Sequence, residues 1–263
     1  MGTVLKIPDR KSPDRAVPAP ALRLENVTVA YDRHPAVHHL SCDFAAGSLT
    51  ALVGPNGGGK STLLKAIAGL VPLASGHIER FGRATQALAY LPQVSEVDRG
   101  FPLRVIDVVN LGHWRRVGAL GRIDAAARAT SLAAIARVGL KGLDHRSIGA
   151  LSVGQFQRVL FARLIVQDAA VILLDEPFNA IDQRTTADLL ALVEGWSQEG
   201  RTVIAALHDI DQVRRHFPMA LLLAREPVAA GRAPEILNDL NLARARALAE
   251  GWQDDAEICR VPA

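Results

Sequence analysis

The strongest chemical signal in the sequence is a run of nine residues: Gly54, Pro55, Asn56, Gly57, Gly58, Gly59, Lys60, Ser61 and Thr62. The run fits the spacing G-x-x-x-x-G-K-S, follows the apolar segment 49–53 and precedes the helix-forming segment 63–68. A strand, a glycine-rich turn and a helix in this order wrap backbone N–H groups around phosphates. Lys60 is expected to contact the β- and γ-phosphates, and the Ser61 hydroxyl to bind Mg²⁺. The sequence therefore predicts a site for a nucleoside triphosphate.

Two adjacent carboxylates, Asp175 and Glu176, end a second apolar segment, residues 171–174. Consecutive apolar β-forming residues indicate a strand that is buried on both faces, as in a parallel sheet. Asp175 is expected to hold Mg²⁺, and Glu176 to orient and deprotonate a water molecule. The two roles divide because a carboxylate bound to the metal is a poor base. A buried strand that ends in a solvated acidic turn is the alternative, and the predicted triphosphate loop disfavours it.

Five further residues could complete such a site, and each leaves an alternative open. Gln93 and His208 each end a predicted strand, where α/β sheets often present nucleotide contacts, but either could be an ordinary loop residue. Tyr31 is either an edge-strand aromatic or a surface on which a purine stacks. Ser152 and Gln155 form an S-x-x-Q capping box at a helix start. That helix end could hold an anion only if it faces a phosphate.

Three histidines near the first strands, His34, His38 and His39, could suggest a metal site. His38 and His39 are adjacent in a predicted strand, so their side chains are expected on opposite faces. Ordinary exposed or hydrogen-bonded histidines are therefore the favoured interpretation.

The composition is that of a water-soluble α/β protein with one large domain or two small ones. Its 263 residues are 49 % hydrophobic and 22 % charged. The net charge of +3 comes without a concentrated Lys/Arg block, so no nucleic-acid partner is expected. The two cysteines, Cys42 and Cys259, lack metal-binding spacing and fit a reduced, cytosolic protein. No apolar run approaches the ~20 residues that span a bilayer, and no signal peptide is recognisable.

Strand and helix patterns determine where these residues lie. Two strands, at 22–31 and 37–44, precede the triphosphate loop and predict an antiparallel sheet added to a parallel core. Residues 75–82 are predicted to form a short hairpin. From about residue 94 the pattern becomes helical, and this inserted helical part is expected to extend to about residue 158. Residues 1–21, with four prolines, are expected to be a disordered leader, and residues 241–263 a C-terminal helix and tail.

Taken in this order, the motifs closely resemble those of the nucleotide-binding subunits of ATP-binding-cassette (ABC) transporters, over residues 22–238. The matching segments are the Walker A loop at 54–61, the Walker B strand at 171–176, the Q-loop Gln93, the switch His208, the signature 151–155, the D-loop 179–182 and the adenine-stacking Tyr31. The resemblance implies an α/β fold: a P-loop NTPase, RecA-like core with an antiparallel β subdomain and an inserted α-helical subdomain. This ATPase domain is expected to span residues 22–240.

The resemblance also implies a mechanism. Two such subunits form a homodimer that closes head to tail around two ATP molecules. Ser152, Gly154 and Gln155 of each subunit then contact the γ-phosphate on the other, and Asp182 contributes to the same nucleotide site. Gln93 is expected to contact Mg²⁺ and to act in catalysis with Glu176 and His208. Closure would move integral membrane permease subunits, which places the protein on the cytoplasmic face of the plasma membrane.

Two segments depart from the family pattern. The signature carries Val153 where glycine is usual. A β-branched residue does not readily adopt φ > 0, so the contact across the dimer is expected to be weakened or displaced. The D-loop begins with Asn179 instead of serine, after Phe178 instead of threonine. These last changes are expected to matter little.

A finer resemblance, in residues 97–109 and 176–182, is to the ATPases of bacterial zinc/manganese importers. It implies uptake of a divalent metal ion, zinc as the first choice, delivered by a periplasmic metal-binding protein. The ATPase subunit does not touch the metal, so the histidines are not expected to be zinc ligands. The alternatives are an iron-chelate or cobalamin importer and a soluble non-transport ABC protein. A P-loop switch or kinase is disfavoured by the signature and His208 together.

Overall fold

Two β-sheets, flanked by helices, form the frame of the protein. The computed structural model describes residues 5–6, 19–31, 34–85, 87–118 and 121–251. The strands are β1 (Leu5–Lys6), β2 (Pro20–Tyr31), β3 (His34–Ala45), β4 (Leu49–Val53), β5 (Ser75–Arg80), β6 (Leu88–Leu91), β7 (Val171–Asp175), β8 (Thr202–Ala206), β9 (Met219–Ala224) and β10 (Glu226–Arg232). The α-helices are α1 (Lys60–Ala68), α2 (Val105–Asn110), α3 (Trp114–Val117), α4 (Ala125–Arg137), α5 (Val153–Gln167), α6 (Gln183–Gln198), α7 (Ile210–His216), α8 (Ala233–Ile236) and α9 (Asp239–Glu250). The arrangement is the predicted α/β fold.

The larger sheet has six strands in the order β10-β9-β4-β8-β7-β6, all parallel except β10. Every residue of β4, β7, β8 and β9 is buried, because both faces of the sheet are covered. Side chains of β4 alternate between the two cores: Leu49, Ala51 and Val53 pack on one face and Leu52 on the other. The carboxyl ends of these parallel strands share one edge, so the residues that follow them are brought together.

The smaller sheet has the order β1-β3-β2-β5 and corrects two predictions. The segment predicted as a hairpin, 75–82, instead supplies β5, which pairs antiparallel with β2. The predicted disordered leader, residues 1–21, contains the short strand β1, which pairs parallel with Cys42 and Asp43 of β3, and β2 already begins at Pro20. The rest of that leader lies outside the described residues.

Helices α2 to α5 form the inserted helical part. Helix α5 continues to Gln167, so the boundary predicted at residue 158 falls inside this helix. Phe161 of α5 stacks on Trp196 of α6 with 5.8 Å between ring centroids, which attaches the insertion to the core. Helix α9 begins at Asp239, two residues before the predicted start, and the tail after residue 251 lies outside the described residues.

The adjacent histidines of β3 do not point to opposite faces as predicted. His39 has φ 48°, which interrupts the strand alternation, and the two rings lie 4.2 Å apart. His38 Nδ1 is 3.0 Å from Glu226 Oε1, and His39 Nδ1 is 2.6 Å from Asn26 Oδ1. Within the described ranges, no helix combines the length and the apolar character that crossing a bilayer requires.

Trp196 offers a test of the packing between α5 and α6. Trp196→Ala is expected to lower the free energy of unfolding by about 3–5 kcal/mol, because a large buried ring is replaced by a cavity. Trp196 is 1 % exposed, whereas Trp114 is 58 % exposed. Trp114→Ala is therefore the matched control, with an expected change of about 0.5 kcal/mol or less. Urea unfolding of both variants measures the difference, and equal losses would contradict this packing.

Candidate functional site

The glycine-rich loop lies between β4 and α1 and is wedged against two other strands. Gly54, Gly57 and Gly59 have φ of 154°, 73° and 88°, which favour glycine. A Cβ at Gly54 would stand 1.8 Å from the Leu223 carbonyl oxygen, and one at Gly59 would stand 2.2 Å from that of Ala36. Gly54 and Gly59 are thus required because the loop packs tightly against β9 and β3. The predicted approach of phosphates to the loop is a second reason for glycine.

Lys60 begins α1 and is 6 % exposed. Its Nζ donates to the carbonyl oxygens of Gly54, at 2.9 Å, and Pro55, at 3.0 Å. Burial lowers the pKa of Lys60, and the charges of Glu176 and Asp175 oppose that shift. The first turn of α1 carries no acidic residue. The positive end of the helix dipole and the ammonium group are therefore available to an anion in the loop.

Asp175 ends β7 and is 1 % exposed. Its Oδ1 accepts a hydrogen bond from Ser61 Oγ at 2.9 Å, and its Oδ2 accepts one from the Tyr90 hydroxyl at 3.2 Å. Burial raises the pKa of Asp175, and these two hydrogen bonds partly offset the rise. Burial also raises the pKa of Tyr90, which keeps its hydroxyl protonated as a donor.

The oxygens of Asp175 and Ser61 fit Mg²⁺. This ion prefers hard oxygen ligands and is commonly held by one or two carboxylates together with substrate phosphates. Within the described ranges, no cluster of three or more His, Cys, Asp or Glu side chains is placed to hold a metal ion by itself. A site with a single carboxylate, a hydroxyl and a bound triphosphate agrees with that donor set.

Glu176 is held by two amide groups. Gln93 Nε2 donates to Glu176 Oε2 at 2.7 Å, and Asn179 Nδ2 donates to the same oxygen at 3.1 Å. The backbone of Glu176 has φ 46°, an uncommon value for a residue other than glycine, and its N–H donates to the Ala206 carbonyl at 3.1 Å. Both amides therefore hold the Glu176 carboxylate through the same oxygen.

His208 follows β8 and lines a cavity of about 70 Å³ together with Glu176, Phe178 and Asn179. The structure therefore brings His208 to the same edge of the sheet as Glu176 and Gln93. Tyr31, at the end of β2, is 48 % exposed. An exposed ring is available for stacking, and stacking on a purine stays a prediction.

The signature segment begins α5 with the predicted capping box. Ser152 Oγ accepts from the Gln155 N–H, and Gln155 Oε1 accepts from the Ser152 N–H, both at 3.1 Å. Val153 is the first residue of α5 and is not among the residues with positive φ in the described ranges. The helix start gives Val153 an ordinary conformation, so a positive φ does not disturb the signature, and its side chain is 38 % exposed. A weakened or displaced contact across the dimer stays a prediction.

Asp182 lies beside the start of α5. Its carboxylate caps α6 by accepting from the Thr185 N–H at 2.9 Å and from Thr185 Oγ1 at 2.8 Å, and these bonds lower the pKa of Asp182. A Cβ placed on Gly154 would be 3.6 Å from Asp182 Oδ2. Within one chain, Asp182 therefore lies next to the signature segment while it caps α6.

Three residues of the site were missed by sequence reasoning. Tyr90 was not considered, although β6 and β7 are parallel neighbours whose carboxyl ends meet at the site. Asn179 was expected to matter little, yet it contacts Glu176. Gln157 of α5 is 1 % exposed and donates to the Pro177 carbonyl at 2.7 Å, which supports the turn after Glu176. Tyr90 and Gln157 gave no signal beyond their polar type, because their partners are distant in sequence. Asn179 lies only three residues from Glu176, so the short spacing was its only signal.

Comparisons with known proteins agree with this geometry. Residues 37–179 match the family described as ABC transporter. The manganese transport system ATP-binding protein MntB of Bacillus subtilis is 37 % identical over 225 residues, which cover 84 % of this chain and 90 % of that protein. The zinc transport system ATP-binding protein TroB of Treponema pallidum is 39 % identical over 215 residues, covering 80 % and 81 %.

A solved structure extends the likeness to three dimensions. It is an ABC transporter described as of the metal-chelate type, in an inward-facing conformation. It superposes with a TM-score of 0.77 at 28 % identity, covering 87 % of this chain and 89 % of that one. The likeness therefore extends over most of the fold.

Tyr90 and Tyr31 provide a paired test of the Mg²⁺ site. Tyr90→Phe removes a donor to Asp175 and is expected to weaken Mg²⁺-dependent binding of a nucleoside triphosphate about tenfold, as loss of a group that orients a metal ligand commonly does. Tyr31→Phe removes the same hydroxyl from an exposed ring and should leave this affinity unchanged. Nucleotide titrations at several Mg²⁺ concentrations compare them, and indistinguishable variants would contradict the role of Tyr90.

Proposed function

Because this chain belongs to the ABC transporter family and hydrolyses ATP, we propose that it is the ATPase subunit of an importer for a divalent metal ion, zinc or manganese. The observation that carries the proposal is the likeness to two metal transport ATP-binding proteins, 37 % and 39 % identical over at least four-fifths of this chain. Zinc stays the first expectation from the sequence. An iron-chelate importer is the second candidate, favoured by the metal-chelate type of the superposed transporter.

The site residues divide the work of hydrolysis. The backbone N–H groups of the loop and Lys60 bind the phosphates of ATP. Asp175 and Ser61 would hold Mg²⁺, which neutralises phosphate charge when it is bound. Glu176 accepts a proton from the attacking water, and the amides of Gln93 and Asn179 keep its carboxylate oriented. His208 lines the cavity beside Glu176, which supports its proposed contact with the γ-phosphate.

We infer that a second copy completes the site. A Cβ at Gly54 or Gly59 of the glycine-rich loop would meet β9 or β3, whereas one at Gly154, at the start of α5, would meet Asp182 and Thr185. The exposed Ser152, at a capped helix N-terminus, is suited to an anion presented from outside the chain. A head-to-tail dimer would bring the γ-phosphate of one subunit to Ser152 of the other.

The permease is proposed to dock on the inserted helical part. Phe101, Leu111 and Trp114 are 61 %, 45 % and 58 % exposed, although all three are large and apolar. Arg115 and Arg116 line a neighbouring groove of about 550 Å³. Exposed apolar side chains beside a groove are typical of a protein-binding surface. Residues 101–114 are defined here as the docking segment.

Glu176→Gln tests the ATPase mechanism and the dimer together. The amide oxygen of glutamine can still accept from Gln93 and Asn179, but glutamine cannot take a proton from water. ATP binding should persist, turnover should fall by a factor of about 10² or more, and an ATP-dependent dimer should accumulate. Size-exclusion chromatography with light scattering measures the dimer.

The controls for this test are Glu194→Gln and Lys60→Ala. Glu194 pairs with His216 on another face, so its variant should hydrolyse ATP at the parental rate. Lys60→Ala should lose ATP binding and therefore form no dimer. A Glu176→Gln protein that stays monomeric with saturating ATP would contradict the paired site.

The transported ion is tested by reconstitution with the permease and the periplasmic binding protein. ATPase activity is compared with zinc, manganese and an iron chelate as cargo. Stimulation by zinc or manganese alone is expected. Stimulation only by the iron chelate would reject divalent metal import in favour of the second candidate.

A further inference from the structure

Arg99 contacts the backbone immediately before the signature helix. Its Nη2 donates to the carbonyl oxygen of Leu151, and it lies 3.4 Å from that of Ile148. Its guanidinium also lies over the Phe156 ring, 5.2 Å from the ring centroid. Arg99 is thus joined to residues on both sides of Ser152, although it lies about fifty residues earlier in the chain.

The peptide between Leu151 and Ser152 is held from both ends. Its carbonyl oxygen accepts from Arg99, and its N–H donates to Gln155 Oε1. The Ser152 side chain in turn caps the Gln155 N–H. Rotation of this peptide would therefore break the arginine contact and the capping box together. The Ser152 side chain is attached next to this peptide, so the orientation of its hydroxyl depends on the contact with Arg99.

The environment of Arg99 makes this contact strong. Nε of Arg99 is buried and without a hydrogen-bond partner, and the described ranges contain no ion pair to Arg99. The charge is therefore balanced by two carbonyl oxygens and by the face of Phe156, which is fully buried. Hydrogen bonds from a charged donor are stronger than neutral ones, and removing the donor would leave the Leu151 carbonyl without its partner.

The segment that carries Arg99 connects three parts of the molecule. Gln93 contacts Glu176, and Glu96 pairs with Lys65 of α1 at 2.7 Å between Oε1 and Nζ. Phe101, at the start of the docking segment, is two residues after Arg99 and is 61 % exposed. Residues 93–101 run from the contact with Glu176 to the docking segment, and Arg99 joins this stretch to the backbone that precedes the signature helix.

We propose that Arg99 is a positioning residue for Ser152, through which the docking segment controls the direction of the signature helix start. This inference rests on the proposed function, because Ser152 is assigned there to the γ-phosphate of a second copy. The hydrogen bonds and ring contact of Arg99 go to Ile148, Leu151 and Phe156, none of which belongs to the glycine-rich loop. Loss of Arg99 affects only the steps that need the paired site.

Arg99→Met is the test variant, because methionine keeps an apolar stem against Phe156 and removes every donor. It is made in the Glu176→Gln protein, and the ATP concentration for half-maximal dimer formation is measured by light scattering. This concentration is expected to rise about tenfold or more, since a charged hydrogen bond to the Leu151 carbonyl is lost. ATP affinity of the dilute monomer should stay within about twofold. Arg99→Lys, which keeps the charge but not the planar fork, should recover part of the loss.

Arg214→Met is the matched control. Arg214 Nη2 donates to the Leu237 carbonyl, which likewise precedes a helix N-cap, Asn238 of α9. An equal shift in both variants would show a general effect of losing such an arginine and would overturn the proposal. If Arg99 only stabilised the fold and did not orient Ser152, the shifts caused by Arg99→Met and Ser152→Ala in the half-maximal ATP concentration would add. Positioning predicts instead that Arg99→Met causes no further shift once Ser152 is alanine.

The outcomes separate this inference from the function on which it rests. If the Glu176→Gln protein alone forms no ATP-dependent dimer, the paired site fails, and the role of Arg99 fails with it. If that protein dimerises and Arg99→Met leaves the half-maximal ATP concentration unchanged, only the role of Arg99 is overturned. The paired site and the role of Arg99 are both supported if Arg99→Met, but not Arg214→Met, raises the half-maximal ATP concentration. In the Ser152→Ala background, Arg99→Met should then cause no further rise.

Discussion

The parallel pairing of β4, β8 and β7 is the constraint on which the rest of the structure depends. It sets Leu52 beside Ala206 and Ala206 beside Asp175, so three strands end at the same level. The glycine-rich loop follows β4 directly, Asp175 ends β7 with Glu176 next to it, and His208 lies two residues after β8. The hydrogen bond between Ser61 and Asp175, 2.9 Å long, is possible only because of this register. A shift of one residue in any of these strands would separate the phosphate-binding groups from the groups that act on water.

Burial of opposite charges gives the site its electrostatic character. Lys60 and Asp175 are both almost fully buried, and burial disfavours the charged form of each, lowering the pKa of one and raising that of the other. The loop carbonyls and the hydroxyls of Ser61 and Tyr90 offset part of this cost by hydrogen bonding. Lys60 and Asp175 are therefore held in place before substrate binds. The negative charge of a triphosphate would complement Lys60, and its bound cation would complement Asp175.

Helix α5 connects the signature residue Ser152 with the turn that follows Glu176. Its first residues carry the capped Ser152, its middle packs into the core through Phe161 and Trp196, and Gln157 supports the turn after Glu176. These contacts all lie on one continuous helix, Val153–Gln167. The inserted helices and the sheet are therefore coupled through packing and hydrogen bonds that this chain itself provides.

Local spacing by itself determined the glycine-rich loop, the two carboxylates, the capping box of α5 and the order of strands and helices. These features depend on residues close in sequence, whose hydrogen bonds and periodicity are readable directly. Only the tertiary structure decided that Tyr90 contacts Asp175, that Asn179 and Gln93 share one oxygen of Glu176, and that Arg99 reaches Leu151. It also decided that β1 and β5 enlarge the small sheet and that Val153 sits unstrained at a helix start. Most of these contacts join residues distant in sequence, and their partners are determined by strand register and helix packing, which no local pattern records. Asn179 is the exception, because it reaches Glu176 across three residues of one turn.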